Sequence, residues 1–196
     1  RVLRRHNLAG AATWLILALT AGSALGLLAA YRVTMLQIPA MIAFQHGAGG
    51  LAAVLISFVE LWPGRDAAPS APGQVSGLLG LAIGSATLSG SLVASGKLLG
   101  WLRPTPLLLP RHSLMSQAIG AATVLCGFFA FLGGGDSRLV LLLLLPVLGV
   151  VLGIVMAVRI GGADMPVLIS FLNATAGFAA AFCGVILGSH LLVACG

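Results

Sequence analysis

The stretch LVLLLLLPVLGVVLGIVMAV (139–158) contains no charged side chain in twenty residues. As an α-helix it would be about 30 Å long, which matches the hydrocarbon core of a bilayer. In lipid the backbone must satisfy its own hydrogen bonds, so only helices and closed barrels cross it. Barrel strands alternate polar and apolar residues over about ten positions, whereas this stretch is apolar throughout. It therefore predicts a membrane-spanning helix.

The composition of the whole chain extends this prediction. Hydrophobic residues make up 59% of the 196 residues and charged residues only 7%, whereas about 25% of an ordinary soluble domain is charged. So few charged side chains cannot cover the surface of a soluble fold of this length. We therefore expect an integral membrane protein that is surrounded by the lipid bilayer.

The net charge of +6 does not indicate nucleic-acid binding. The basic residues are scattered singly, apart from three arginines near the amino terminus, and nucleic-acid interfaces need a clustered basic patch. The cysteines Cys126, Cys183 and Cys195 lie in apolar segments without the paired spacing of a metal or redox site. We expect them to be small buried hydrophobic residues, with no metal site and no nucleic-acid partner.

Apolar runs of about twenty residues recur along the chain. They are separated by breaks rich in proline, glycine and charge, such as WPGRDAAPSAPGQ (62–74), GWLRPTPLLLPRH (100–112) and RIGGADMP (159–166). The predicted fold class is all-α, a polytopic transmembrane helix bundle that forms a single domain over residues 1–196. We expect six spans, at about 8–30, 39–62, 75–98, 113–133, 138–158 and 166–190.

Glycine pairs spaced four residues apart predict close contacts between these helices. The pairs are Gly22/Gly26, Gly80/Gly84 and Gly149/Gly153.

The charges at the helix ends leave the orientation open. If the spans alternate, each side carries the same number of Lys and Arg residues, so the positive-inside rule does not decide. Without the amino-terminal arginines the count favours a cytoplasmic location for the side bearing Arg32, Lys97, Arg103, Arg111 and Arg159.

Function in a membrane protein is expected where polar residues lie inside a span. Measured from one side of the membrane, His46, Ser91 and Asn173 lie about 10, 9 and 13 Å along their helices. Half of the hydrocarbon core is about 15 Å, so the three share a layer near the midplane. Their faces are rich in small residues, which favours buried positions with room for water. Histidine gains and loses a proton near neutral pH, so His46 is the natural proton carrier.

Structural roles stay open for the same residue types. Serine and threonine in membrane helices often bond back to carbonyls of their own helix, whereas an asparagine needs partners across helices. His6, His112 and His190 lie near helix ends, where we expect them to be solvated. Asp164 stands where it can be the N-cap of the last long helix or a functional group at the membrane surface.

Three segments resemble the membrane domain of the beta subunit of proton-translocating NAD(P) transhydrogenases. They are IGGADMPVLISFLNATAGFAAAFCGVILG (160–188), GSLVASGKLLG (90–100) and RVTMLQIPAMIAFQHGAGGLAAVLISF (32–58). The string PLLLPRH (106–112) follows the second segment in the same order, and IGGADMP is the most specific part. The resemblance extends from about residue 30 to residue 196.

The resemblance implies an enzyme that couples hydride transfer between NADH and NADP⁺ to proton passage across a membrane, here a bacterial inner (plasma) membrane. It implies that this chain conducts protons, while an alpha subunit and an NADP-binding domain carry NAD and NADP in a complete, dimeric enzyme. By the same resemblance His46, Asn173 and Ser91 form the proton pathway. Asp164 lies at the interface with the NADP-binding domain.

Departures from the family pattern leave other functions open. Leu36 and Gln37 stand where the family has an acid before the proline of the histidine helix, and one span stands where it has two. The family continues beyond LLVACG (191–196) with a further span and the NADP-binding domain. No GxGxxG turn follows a strand, so we expect this chain alone to bind no cofactor and to catalyse no hydride transfer. The alternatives are a transport or channel protein and a non-functional truncated remnant. In the reading frame after Gly196, a further span and an NADP-binding domain would favour the transhydrogenase, and an immediate stop would favour the alternatives.

Overall fold

A computed structural model describes residues 8–63 and 69–196, which form helices and no strand. Contacts divide the chain into two units, 1–38 and 39–196. The helices are α1 Leu8–Arg32, α2 Ile38–Leu61, α3 Ala71–Leu98, α4 His112–Leu132, α5 Gly135–Val158, α6 Met165–Leu187 and α7 His190–Cys195. The first six are long and apolar enough to cross a membrane, which confirms the six predicted spans.

The first unit consists of α1 and a short 3₁₀ turn, Met35–Gln37. The backbone N–H of Thr34 donates a hydrogen bond of 3.1 Å to Oε1 of Gln37, so this side chain caps the turn. Gly22 and Gly26 have no heavy atom within 4 Å of an added Cβ. The close contact predicted for this glycine pair stays a prediction.

In the second unit α3 is the central helix and is buried along most of its length. Its small residues let neighbouring backbones approach: a Cβ added at Gly84 would lie 2.8 Å from the carbonyl oxygen of Gly50 in α2. On another side, a Cβ added at Gly149 of α5 would lie 2.7 Å from the carbonyl oxygen of Ala82. A Cβ at Gly153 would overlap the carbonyl oxygen of Ala86. The close packing predicted from the second and third glycine pairs is confirmed.

The last predicted span ends earlier than expected. Gly188 adopts a left-handed conformation (φ 66°) that terminates α6, and α7 then begins at His190. The short α7 lies back along α6, because a Cβ added at Gly184 would lie 2.5 Å from the backbone nitrogen of Val193. Gly177 meets the carbonyl oxygen of Gly196 in the same way, at 2.7 Å. The expectation that this face of α6 leaves room for water is therefore wrong at these glycines, since the backbone of α7 fills the space.

The three cysteines differ in burial. Cys126 and Cys183 are buried, as expected, and Cys195 is exposed. The expectation was wrong for Cys195 because it ends α7, which covers α6 on one face only.

Candidate functional site

A hydrogen bond joins the histidine and the asparagine that sequence depth placed in one layer. The ring Nε2 of His46 in α2 lies 3.0 Å from Oδ1 of Asn173 in α6, although the residues are 127 positions apart. Since a carbonyl oxygen only accepts, Nε2 is the donor and carries a hydrogen. Nδ1 of the neutral ring then keeps its lone pair.

Ser91 lies beside the turn of α2 that carries the histidine. Its side chain is completely buried, at 0% exposure. A Cβ added at Gly47, the residue after His46, would lie 3.0 Å from Cβ and 3.8 Å from Oγ of Ser91. The structure therefore brings the three predicted pathway residues together on α2, α3 and α6.

The burial of the three residues differs from the expectation that all are buried. Ser91 is fully buried, His46 is half-buried and Asn173 is exposed. The reason is that the histidine and the asparagine meet at the surface of the second unit rather than across its core.

Three buried polar atoms in this region have no hydrogen-bond partner within the described ranges: His46 Nδ1, Ser91 Oγ and Thr87 Oγ1. The hydroxyls of Ser85 and Thr175 donate to carbonyls of their own helices. A purely structural role through such bonds therefore explains Ser85 and Thr175, but it does not explain Ser91 or Thr87. A buried polar group without a partner costs about 1–3 kcal/mol. These three atoms therefore have unused hydrogen-bonding capacity, and Thr87 is an addition to the predicted set.

Close contacts bound this polar layer along α2 and α3. Toward the carboxyl end of α2, a Cβ added at Gly50 would lie 2.6 Å from the carbonyl oxygen of Gly84, so the two backbones touch. Toward the amino end lies an apolar cluster of Ala43, Ala94, Ala157, Met165, Leu168 and Leu172. His46 and Ser91 thus lie between a backbone contact, at which Thr87 also lies, and an apolar cluster.

Asp164 is not part of this layer. It is exposed, ends the 3₁₀ turn Gly162–Asp164 and directly precedes α6. It occupies the N-cap position of α6, as expected, but its side chain makes no capping hydrogen bond. At 1.5 Å per residue it lies about 13 Å along the chain from Asn173. The carboxylate is therefore available at the surface, on the helix that carries the asparagine.

A family model described as NAD(P) transhydrogenase beta subunit matches residues 2–196. The chain belongs to this family. Two Rhodospirillum rubrum sequences named NAD(P) transhydrogenase subunit beta are each 35% identical to it over 190 residues. The alignments cover 93% of this chain and 40% of each relative, so the chain spans less than half the length of the relatives it matches.

The sequence assigned Lys97 only a role in the topology. Lys97, in the last turn of α3, was counted as a surface cation, yet its side chain is only 6% exposed. Its Nζ donates to the carbonyl oxygens of Ala157, Val158 and Ile160, at 3.3, 2.7 and 2.6 Å. The available signal was its position, six residues after Ser91 in the same apolar helix.

The remaining described histidines, His112 and His190, differ in exposure. His190 is exposed, as expected, and His6 lies outside the described residues. His112 was expected to be solvated but is 7% exposed at the start of α4. Both of its ring nitrogens are buried without a hydrogen-bond partner among the described residues. Position near a helix end was a poor guide, because His112 is buried although the next three residues of α4, Ser113, Leu114 and Met115, are exposed.

The described residues contain no group of three or more His, Cys, Asp or Glu side chains arranged to hold a metal ion. The polar layer itself supplies one imidazole, one amide and two hydroxyls. These groups donate and accept hydrogen bonds.

Proposed function

We propose that this chain is the proton-conducting membrane domain of an NAD(P) transhydrogenase. In this proposal residues 1–196 act as one membrane domain, and separate soluble domains carry out hydride transfer between NADH and NADP⁺. The observation that carries the proposal is the hydrogen bond between His46 and Asn173, next to the buried hydroxyl of Ser91. An ionisable residue within a membrane span marks an ion or proton pathway.

The chemistry of the layer follows from the roles of its atoms. Asn173 holds the ring of His46 through Nε2, so Nδ1 is the atom that accepts a proton. The hydroxyls of Ser91 and Thr87 do not titrate near neutral pH, and their role is to hold water and orient the ring. Histidine is the residue type that exchanges a proton near neutral pH.

Asp164 is the proposed contact with the NADP-binding domain. It is exposed and directly precedes α6, the helix that carries Asn173. Movement of this end of α6 therefore reaches the hydrogen bond with His46 through a single helix. The proposed partners are the alpha subunit and the NADP-binding domain in a dimeric enzyme, in a bacterial inner membrane.

Asn173→Ala tests the proposal. The chain is placed in a complete transhydrogenase in sealed vesicles, and acidification is followed during hydride transfer. The substitution removes the acceptor that orients His46. We expect proton pumping to fall about tenfold, which is less than the roughly 10²–10⁴-fold contribution of a positioned proton-transfer group, because Asn173 orients the ring and does not itself take up the proton.

Thr175→Ala is the matched control on the same helix, since the hydroxyl of Thr175 bonds only to the carbonyl of Leu172, at 3.0 Å. It is expected to pump normally. Full pumping by Asn173→Ala, or equal loss in both variants, would contradict the assignment.

The proposed orientation has its own test. Asp164 must face the cytoplasm to meet the NADP-binding domain, so the side bearing Lys97 and Arg159 is cytoplasmic. Single cysteines are introduced at the exposed positions Ser137 and Thr105, in a background without the three native cysteines. A membrane-impermeant reagent added outside intact cells is expected to label position 137 and not position 105. The reverse labelling would show that the amino-terminal arginines determine the topology.

A further inference from the structure

Lys97 behaves unlike an ordinary lysine at the end of a membrane helix. Such side chains normally extend to the water interface and keep the ammonium group solvated. Here the side chain is buried, and all three donors of the ammonium group have carbonyl acceptors. Within the described ranges no ion pair with a carboxylate accompanies it. The interaction that compensates the charge is therefore with backbone oxygens.

These oxygens belong to the carboxyl end of α5 and to the residue that follows its C-cap. The last carbonyls of a helix have no partner within the helix, and the helix dipole gives them partial negative charge. Ala157 and Val158 supply two of them, and Ile160 supplies the third from the turn toward α6. A side chain of α3 thus caps the end of α5 and holds the next segment of chain.

The same turn is held from its other side by the segment that follows α3. The backbone N–H of Gly162 donates to the carbonyl oxygen of Pro104 at 3.2 Å, and that of Leu107 donates to Val158 at 3.0 Å. A Cβ added at Gly161 would overlap the carbonyl oxygen of Pro104. Asp164 follows directly, its N–H donating to the carbonyl of Gly161 at 3.2 Å. The position of Asp164 is therefore set by a turn that Lys97 anchors.

The helix that carries this anchor also carries Ser91, about 9 Å away along α3. Between the two levels lies the apolar cluster that includes Ala94 of α3, Ala157 of α5 and Met165 of α6. The ammonium group thus connects the surface turn to the helix of the polar layer. Carbonyl oxygens do not take up its protons, so the contact holds geometry and does not relay protons.

We propose that Lys97 is a positioning residue that fixes the Ile160–Asp164 turn to the Ser91 helix, so that events at Asp164 reach the proton pathway. This inference rests on the proposed function for its consequence, but the anchor itself is a property of this chain. Two separate measurements therefore test it.

The first measurement is hydrogen–deuterium exchange of the 196-residue chain in lipid nanodiscs. Lys97→Met keeps the length of the side chain and removes its donors. We expect the amides of Gly162 and Asp164 to exchange at least about tenfold faster, because charged hydrogen bonds that close the turn are lost. Arg103→Met, which removes an exposed cation from the same side, is expected to leave these amides unchanged. Unchanged exchange in Lys97→Met would overturn the proposal.

The second measurement is the number of protons pumped per hydride transferred by the complete enzyme in vesicles. We expect Lys97→Met to lower this ratio about tenfold, whereas Arg103→Met keeps it. Because the ratio does not depend on the amount of folded enzyme, a lower ratio reports a loss of coupling. An unchanged ratio despite faster exchange would also overturn the proposal. If Lys97→Met does not fold, Lys97→Gln, which removes the charge and keeps two donors, replaces it. Exchange of the two amides and the pumping ratio are then expected to change in the same directions by smaller factors, and no change in either would overturn the proposal. If the unmodified enzyme pumps no protons, the proposed function fails while the exchange result still decides whether the anchor exists.

Discussion

Replacement of His46 by alanine is expected to reduce proton pumping about 100-fold or more, because positioned proton-transfer groups contribute about 10²–10⁴-fold. The ring is the ionisable group of the polar layer, and its Nδ1 is buried without a protein partner among the described residues. Neither Asn173 nor Ser91 takes up a proton near neutral pH, so nothing in the layer replaces it. The measurement is vesicle acidification coupled to hydride transfer by a complete transhydrogenase that contains this chain.

Two comparisons make the result specific. Gln45→Ala removes the exposed polar side chain next to His46 in α2, and it is expected to pump normally. Ser91→Ala is expected to slow pumping less than His46→Ala, because water can take over the hydrogen bonds of a hydroxyl. If His46→Ala pumps fully while Ser91→Ala or Asn173→Ala is inactive, the histidine is a packing residue and the assignment is wrong.

The second large effect is expected from a single methyl group at Gly50. A Cβ there would lie 2.6 Å from the carbonyl oxygen of Gly84 and 2.9 Å from the backbone nitrogen of Leu88. Because both atoms belong to the backbone of α3, no side-chain rotation relieves the overlap, and α2 must move away. We expect Gly50→Ala to lower the free energy of unfolding by about 3 kcal/mol, at the upper end of the usual cost of overpacking. Denaturant titration in mixed micelles measures this change.

Gly49→Ala is the matched control, one position earlier on the same helix. Gly49 is exposed, and an added Cβ meets nothing within 4 Å. We expect its free energy of unfolding to change by less than about 0.5 kcal/mol, as for most surface substitutions. Equal stability of the two variants would show that α2 and α3 are not in backbone contact at Gly50.

The same pair also tests the geometry of the polar layer. Gly50 lies one turn from His46, so displacement of α2 separates the ring from Asn173 and from the Ser91 hydroxyl. Gly50→Ala is therefore expected to lose pumping together with stability, whereas Gly49→Ala keeps both.

The sequence by itself determined the fold class and the six membrane helices. Hydropathy and helix length are local properties, so twenty apolar residues in a row predict a span without knowledge of its neighbours. The common depth of His46, Ser91 and Asn173 was predictable for a similar reason, since every residue adds the same rise along a helix. The hydrogen bond of 3.0 Å between His46 and Asn173 confirms that the first and last of these meet.

Only the tertiary structure decided which side chains face each other and which face outward. Rotation of a helix about its axis depends on the shapes of the surfaces that pack, here the glycine contacts of α3 with α2 and α5. The exposure of Asn173 and the fold-back of α7 along Gly177 and Gly184 likewise depend on how the helices pack. The burial of Lys97 shows most clearly what could not be predicted from the sequence, because its acceptors are backbone carbonyls. Every residue has such a carbonyl, so no residue type in the sequence marks the partner.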